Sequence, residues 1–97
     1  MAASYNVFSG AIPFENENDL NLKKREFDSH LTDIKDMYIT YFAENPESIY
    51  LKFADNTHHN DDSVSCEFHI NFLKEINTKI KEDYMNSIRL LEYIIIN

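Results

Sequence analysis

A chain of 97 residues that is 43% hydrophobic, 13% aromatic and 27% charged has the composition of one globular domain and too much apolar content for a disordered segment. A single glycine excludes phosphate-cradling loops built from several glycines, and Cys66 as the one cysteine excludes an internal disulfide and a zinc site with two or more thiolates. The sequence opens without a basic start and apolar run and holds no stretch of 18 apolar residues, so we expect a cytoplasmic protein with neither signal peptide nor membrane span.

In chain order, residues 1–17 read as irregular structure or an edge strand. Tyr5-Asn6-Val7-Phe8 suits a third strand with Ser9-Gly10 as its turn, and Ile12 and Phe14 suit a lid on the core. From residue 18 to 44, Leu20, Phe27, Leu31, Ile34, Tyr38, Tyr41 and Phe42 recur at spacings of three, four or seven, which predicts one amphipathic helix. Asn18 or Asp19 is the expected cap and Asn45-Pro46 the stop. A helix of this span would be about 39 Å long, frayed before Lys23.

Strict alternation then predicts two half-buried strands, 48–54 (Ile49, Leu51, Phe53) and 63–72 (Val64, Cys66, Phe68, Ile70, Phe72). The all-polar run Asp55 to Asp62 between them reads as an exposed hairpin loop. Leu73, Ile76, Ile80, Tyr84, Ile88, Leu91 and Ile95 predict a second helix over 73–95, while the β-branched run Ile94-Ile95-Ile96 equally suits a strand. The fold class is therefore α+β: a small antiparallel sheet, a central hairpin with an optional N-terminal strand, packed on two amphipathic helices in one domain. Phe27, Leu31, Ile34, Phe53, Phe68, Ile70, Ile76, Ile80 and Ile88 are the expected core, each worth about 1.5 to 3 kcal/mol if fully buried.

The chain carries 17 acidic against 9 basic residues, a net charge of −8, and its location is informative. Residues 1–25 and 68–97 each balance to zero. Residues 26–67 hold Glu26, Asp28, Asp33, Asp36, Glu44, Glu47, Asp55, Asp61, Asp62 and Glu67 against only Lys35 and Lys52. On a helix, Glu26, Asp33, Asp36 and Glu44 fall within a quarter of the circumference opposite the apolar stripe. A solvated face accounts for such a line, but a solubilising face usually interleaves lysines with its carboxylates. Duplex DNA offers one charge per about 1.7 Å, whereas this line offers four over roughly 27 Å, so a plug for a basic cleft fits better than a copy of DNA. Tyr50, directed away from the inner face of the sheet, is the candidate aromatic anchor.

Other chemistry is weak. His58-His59 with Asp55, Asp61 and Asp62 has cation-ligand types, yet Asn56 to Glu67 fails as a calcium loop because Asp61 stands where a glycine is needed. His30 and His69 lack partners that spacing can place, and Cys66, in phase with Val64 and Phe68, reads as a buried apolar residue. No cofactor or metal is expected, no catalytic residue is assigned, and with Lys23-Lys24-Arg25 as the one basic cluster no direct nucleic-acid binding is expected. The expected role is that of a non-catalytic acidic binding protein occupying the active site or nucleic-acid cleft of a basic partner through Glu26, Asp33, Asp36, Glu44, Tyr50, Asp55, Asp61 and Asp62. In size, charge and Asn/Ile/Lys-rich composition the chain is similar to immunity proteins that neutralise nuclease toxins and to small phage proteins that block restriction or CRISPR nucleases. The competing expectation is a self-associating assembly protein that pairs through Leu90 to Ile96.

Overall fold

The computed structural model describes residues 3–60 and 63–96. Among these, the elements run β1 (Tyr5–Phe14), α1 (Glu17–Met37), α2 (Ile39–Glu44), β2 (Ile49–Asn60), β3 (Ser63–Leu73), α3 (Thr78–Ile88) and β4 (Ile94–Ile95). They form one four-stranded antiparallel sheet in the order β2-β3-β1-β4, with helices on one face, an α+β fold. With α2 taken as a continuation of α1, this is the β-α-β-β-α-β arrangement of ferredoxin-like topology. That topology hosts unrelated functions and decides none here.

The largest departure from expectation is at the N-terminus. The expected strand at Tyr5-Asn6-Val7-Phe8 is present but continues where a turn and a lid were expected: residues 5–14 form one ten-residue strand, paired along its whole length with β3 from Tyr5↔Leu73 to Phe14↔Val64 and flanked by β4 at Gly10 and Ala11. Ser9-Gly10 is not a turn. Gly10 lies mid-strand opposite Phe68, and a Cβ there would approach the Phe68 ring to 2.5 Å, so the missing side chain is what lets the ring lie against the strand. Pro13 is tolerated in an interior strand because of the strand's parity. Ser4 C=O bonds Lys74 on the β3 side and Ser9 C=O bonds Ile96 on the β4 side, so odd-numbered backbone groups of β1 face away from β3. The N–H that Pro13 lacks would have pointed where no ladder runs, and its carbonyl accepts from Lys23 Nζ at 2.8 Å.

The first helix begins earlier than expected and is broken. Asn16, not Asn18 or Asp19, is the cap: its side chain accepts from Asp19 N–H, while Asp19 Oδ2 accepts from the N–H of Glu15, the residue before the cap, and the two bonds tie down the first turn. At Tyr38 the backbone leaves the helical region (φ −113°, ψ 49°), and α2 restarts at the β-branched pair Ile39-Thr40. The Tyr38 hydroxyl donates to Asp83 on α3, and beyond the break Phe42 is buried while Tyr41 O–H accepts from Ser48 Oγ and Asn77 N–H. Asn45-Pro46 ends α2 as expected, with Asn45 Nδ2 on Tyr41 C=O.

The hairpin is longer than the apolar alternation implied. After a bulge between Phe53 and Thr57, pairing resumes from Thr57↔Cys66 to Asn60↔Ser63, so residues 55–60 are strand rather than loop. Backbone pairing does not require apolar side chains, and a polar strand is invisible to alternation. The second helix occupies only Thr78–Ile88, because Asn77 Oδ1 caps Lys79 and Ile80 N–H and Leu73 belongs to β3. After it the chain turns, Tyr93 enters the core edge, and Ile94-Ile95 pairs with Ala11 and Gly10, so the strand alternative for the C-terminal run is the one realised.

The core lies between the sheet and the helices. Phe68 is enclosed by Phe27 (4.8 Å between centroids), Phe8 and Tyr93, and Phe27, Ile34, Phe68, Ile70, Ile80 and Ile88 are buried as expected. Leu31, Phe53 and Ile76 reach it only in part, while Ile12, Ile49, Phe72 and Tyr84, outside the expected set, are fully enclosed.

Candidate functional site

Glu26, Asp33 and Asp36 stand exposed on the outward face of α1. Among the described residues none of the three has an ion-pair partner. The lysines of the same helix are drawn toward the body: Lys23 bridges Asp19 (3.4 Å) and the Pro13 carbonyl, Lys24 lies over the Phe53 ring (5.3 Å) and Lys35 over the Phe42 ring (6.0 Å). Stacking on an aromatic face holds a cation against the domain, so Lys23, Lys24 and Lys35 lie inward while Glu26, Asp33 and Asp36 face solvent, with Arg25 the exposed cation of the same helix.

Two hollows flank this face where α1 meets α3 and the turn that follows it. One, of about 370 Å³, is bordered by Leu22, Glu26, Phe27, Leu90 and Leu91. The other, of about 360 Å³, is bordered by His30, Asp33, Met37, Asp83 and Ser87. Leu22, Met37 and Leu90 are exposed there, Leu90 at 83%, an apolar component among the carboxylates that charge counting alone had missed. The signal is in the spacing: Leu22 and Met37 lie on the solvent side of the α1 wheel.

The other expected residues are not gathered at this face. Glu44 is exposed but lies on α2, beyond the break at Tyr38, so the phase linking it to Asp36 is lost. Tyr50 pairs with Asn71 on the sheet face opposite the helices and packs edge-on against Tyr5 at 5.3 Å. Asp55 is exposed on β2 within the bulge, and Asp61 and Asp62 lie outside the described residues. Of the described members, Glu26, Asp33 and Asp36 share one face of α1, and Glu44, Tyr50 and Asp55 lie apart from it.

The α1–α3 seam carries its own polar links. His30 Nδ1 and Ser87 Oγ share a hydrogen bond, and Asp83 accepts from Tyr38 O–H and from Lys79 Nζ at 3.0 Å. Those bonds hold the Asp83 carboxyl below its ordinary range, the Tyr38 bond contributing most. Burial pushes the Tyr84 hydroxyl well above the tyrosine range; that oxygen and Asn71 Nδ2 are buried without a hydrogen-bond partner among the described residues.

On the open sheet face, register places Ser9 opposite His69, with Ser9 Oγ 2.9 Å from His69 Nδ1 and His69 Nε2 3.7 Å from Glu67 Oε1. Strand separation hid these partners from the sequence. The row has nucleophile, base and carboxylate types, but the His69–Glu67 spacing exceeds hydrogen-bond length, and Ser9 lies on a flat pleat rather than a turn that presents free N–H donors. We read it as a cross-strand link. Cys66 is 1% exposed, and burial raises its thiol pKa, which disfavours the nucleophilic thiolate. Among the described residues no group of three His, Cys, Asp or Glu side chains has metal-site geometry, and no helix is long and apolar enough to cross a membrane.

Comparison with known proteins finds no matching family model, no matching curated protein and no matching solved structure.

Proposed function

We propose that the protein is a non-catalytic acidic binding protein that neutralises a basic partner by occupying its active site or nucleic-acid-binding cleft, in the manner of immunity proteins against nuclease toxins or phage inhibitors of restriction and CRISPR nucleases. The observation that carries this reading is the outward face of α1, with Glu26, Asp33 and Asp36 exposed and unpaired among the described residues while Lys24 and Lys35 fold onto aromatic rings. Selection for stability alone would pair these charges along the helix. The hollows beside Glu26 and Asp33 suit arginine or lysine, whose aliphatic stems lie on Leu22, Leu90 or Met37 while their heads meet a carboxylate.

Such a surface acts through long-range attraction. Steering raises association toward 10⁸ to 10⁹ M⁻¹s⁻¹ at low salt and fades as ions screen it over about 8 Å. The test is capture of a basic protein from a lysate of the source cells on immobilised protein, with elution by salt, followed by assay of the captured protein for nuclease activity with and without added inhibitor. Asp33→Lys with Asp36→Lys abolishes capture while circular dichroism and the thermal midpoint stay unchanged. Equal capture by the doubly reversed chain removes this surface from the proposal.

A second reading, self-association, is favoured by exposed Leu90, Ile94, Ile95 and Ile96 beside the last strand. It requires a concentration-dependent oligomer in sedimentation that dissociates when Ile94 and Ile96 are made polar.

A further inference from the structure

The inner strand β1 has two long sides, and only one is fully paired. Its β3 side is covered from Tyr5 to Phe14, whereas β4 covers the other side only at Gly10 and Ala11, with Ile96 N–H reaching Ser9 C=O. Beyond β4 toward the strand's C-terminal end, Pro13 has no donor to leave free and its carbonyl is met by Lys23. Toward the N-terminal end nothing comparable occurs among the described residues. By parity, the N–H and C=O groups of Tyr5 and Val7 face the open side, and among the described residues no strand or side chain meets them. Val7 is 48% exposed.

Beneath this open stretch is a cavity of about 250 Å³ between the sheet edge and α3, bordered by Val7, Phe8, Phe72, Met85, Lys81 and Arg89. Its floor is aromatic and aliphatic and its rim holds two cations. Lys81 lies over the Phe72 ring at 5.1 Å and Arg89 donates to Asn86 Oδ1 at 3.0 Å; neither has an ion-pair partner among the described residues. In a chain of net charge −8, paired cations left beside an apolar cavity and an unpaired strand edge form a combination that solubility does not explain.

We infer that the open edge of β1 at Tyr5–Phe8 is a strand-addition site for an extended segment of a partner protein that alternates apolar and acidic side chains. Its backbone continues the line of β4 and bonds Val7 and Tyr5, an apolar side chain enters the cavity over Phe8, Phe72 and Met85, and a carboxylate meets Lys81 or Arg89. Backbone bonds supply the affinity and the two cations the choice of sequence. The site is opposite in charge to the α1 face and does not depend on the reading given for that face.

The probe is a capped hexapeptide of alternating Glu and Val added to the full chain, followed by amide nitrogen–proton spectra and hydrogen exchange, with a Lys-Val hexapeptide as control. We expect saturable shifts at Val7 and Phe8 and slowed exchange of the Val7 amide for the acidic peptide alone. Lys81→Glu with Arg89→Glu, both at the surface, should weaken binding about tenfold or more, equivalent to at least about 1.4 kcal/mol. Val7→Pro removes the outward donor without touching the β3 ladder and should abolish it, whereas Asp33→Lys with Asp36→Lys should leave it in place. No shift at Val7, equal binding of the lysine peptide, or undiminished binding by the Lys81/Arg89 variant overturns the inference. So does sedimentation showing that a second copy already covers the edge.

Discussion

The outward face of α1 and the open edge of β1 are two ways for a small domain to remain unsatisfied. On α1 the deficit is electrostatic: Glu26, Asp33 and Asp36 have no ion-pair partner among the described residues, on a helix whose lysines turn inward. On β1 the deficit is in the backbone, where Tyr5 and Val7 face away from β3 with no strand beside them among the described residues, and the margin holds the two cations Lys81 and Arg89. The first surface is long-ranged, sensitive to salt and tolerant of the partner's shape, whereas the second is short-ranged, insensitive to salt in its backbone part and demanding of an extended conformation. On the two readings proposed, such a molecule would meet a cationic surface on one layer and an acidic strand at its margin.

The most severe way to break the comparison is to remove what the two regions share. Phe68 supports the helix through Phe27 and the strand through Phe8 and Gly10, so Phe68→Ala should cost about 3 to 5 kcal/mol in urea unfolding and weaken both surfaces together. Gly10→Ala should separate them. The added methyl would meet the Phe68 ring at 2.5 Å and the Ile94 carbonyl at 3.0 Å, so we expect a loss of about 1 to 3 kcal/mol, with faster amide exchange at Ile94–Ile96 than in α1.

Charge reversal should act in the opposite sense. Asp33→Lys with Asp36→Lys should change stability by less than about 0.5 kcal/mol, measured by thermal melts, while removing the salt-dependent part of partner association.

The smallest effect concerns the seam behind α1. The Asp83 carboxyl titrates below its ordinary value of 3.8 in the folded chain because Tyr38 and Lys79 bond its charged form. Its stabilising contribution is therefore present above that value and lost as pH falls through the lower folded value. Tyr38→Phe should lower the melting temperature slightly near neutrality and flatten its decline as pH falls below 3.8, read from melts taken across the acid range.

Sequence patterning was most informative where burial is one-sided. Phe27 and Ile34 on α1, Phe68 and Ile70 on β3 and Ile80 and Ile88 on α3 are where their spacing put them, because an element with one wet and one dry face must repeat its apolar residues at its own period. Alternation missed residues 55–60, whose pairing rests on backbone groups, and the continuation of β1 beyond Phe8, where Gly10 and Pro13 mimic loop punctuation. On the acidic surface, Asp33 and Asp36 share the predicted face, but Glu44 was lost to the break at Tyr38, an irregularity accompanied by a bond to Asp83, 45 residues away. Ser9 and His69, 60 residues apart, could be joined only by register.

What the amino-acid order determined by itself is the α+β class, the two helical stripes and the uneven charge, since each follows from local periodicity or counting. Only the assembled fold decided that residues 5–14 form one strand between β3 and β4, that Ile94-Ile95 forms a strand and that the Tyr5–Val7 end of β1 has no second strand beside it among the described residues. Those outcomes depend on which distant backbone reaches which edge first, a competition among hydrogen-bonding partners that no short window of sequence contains.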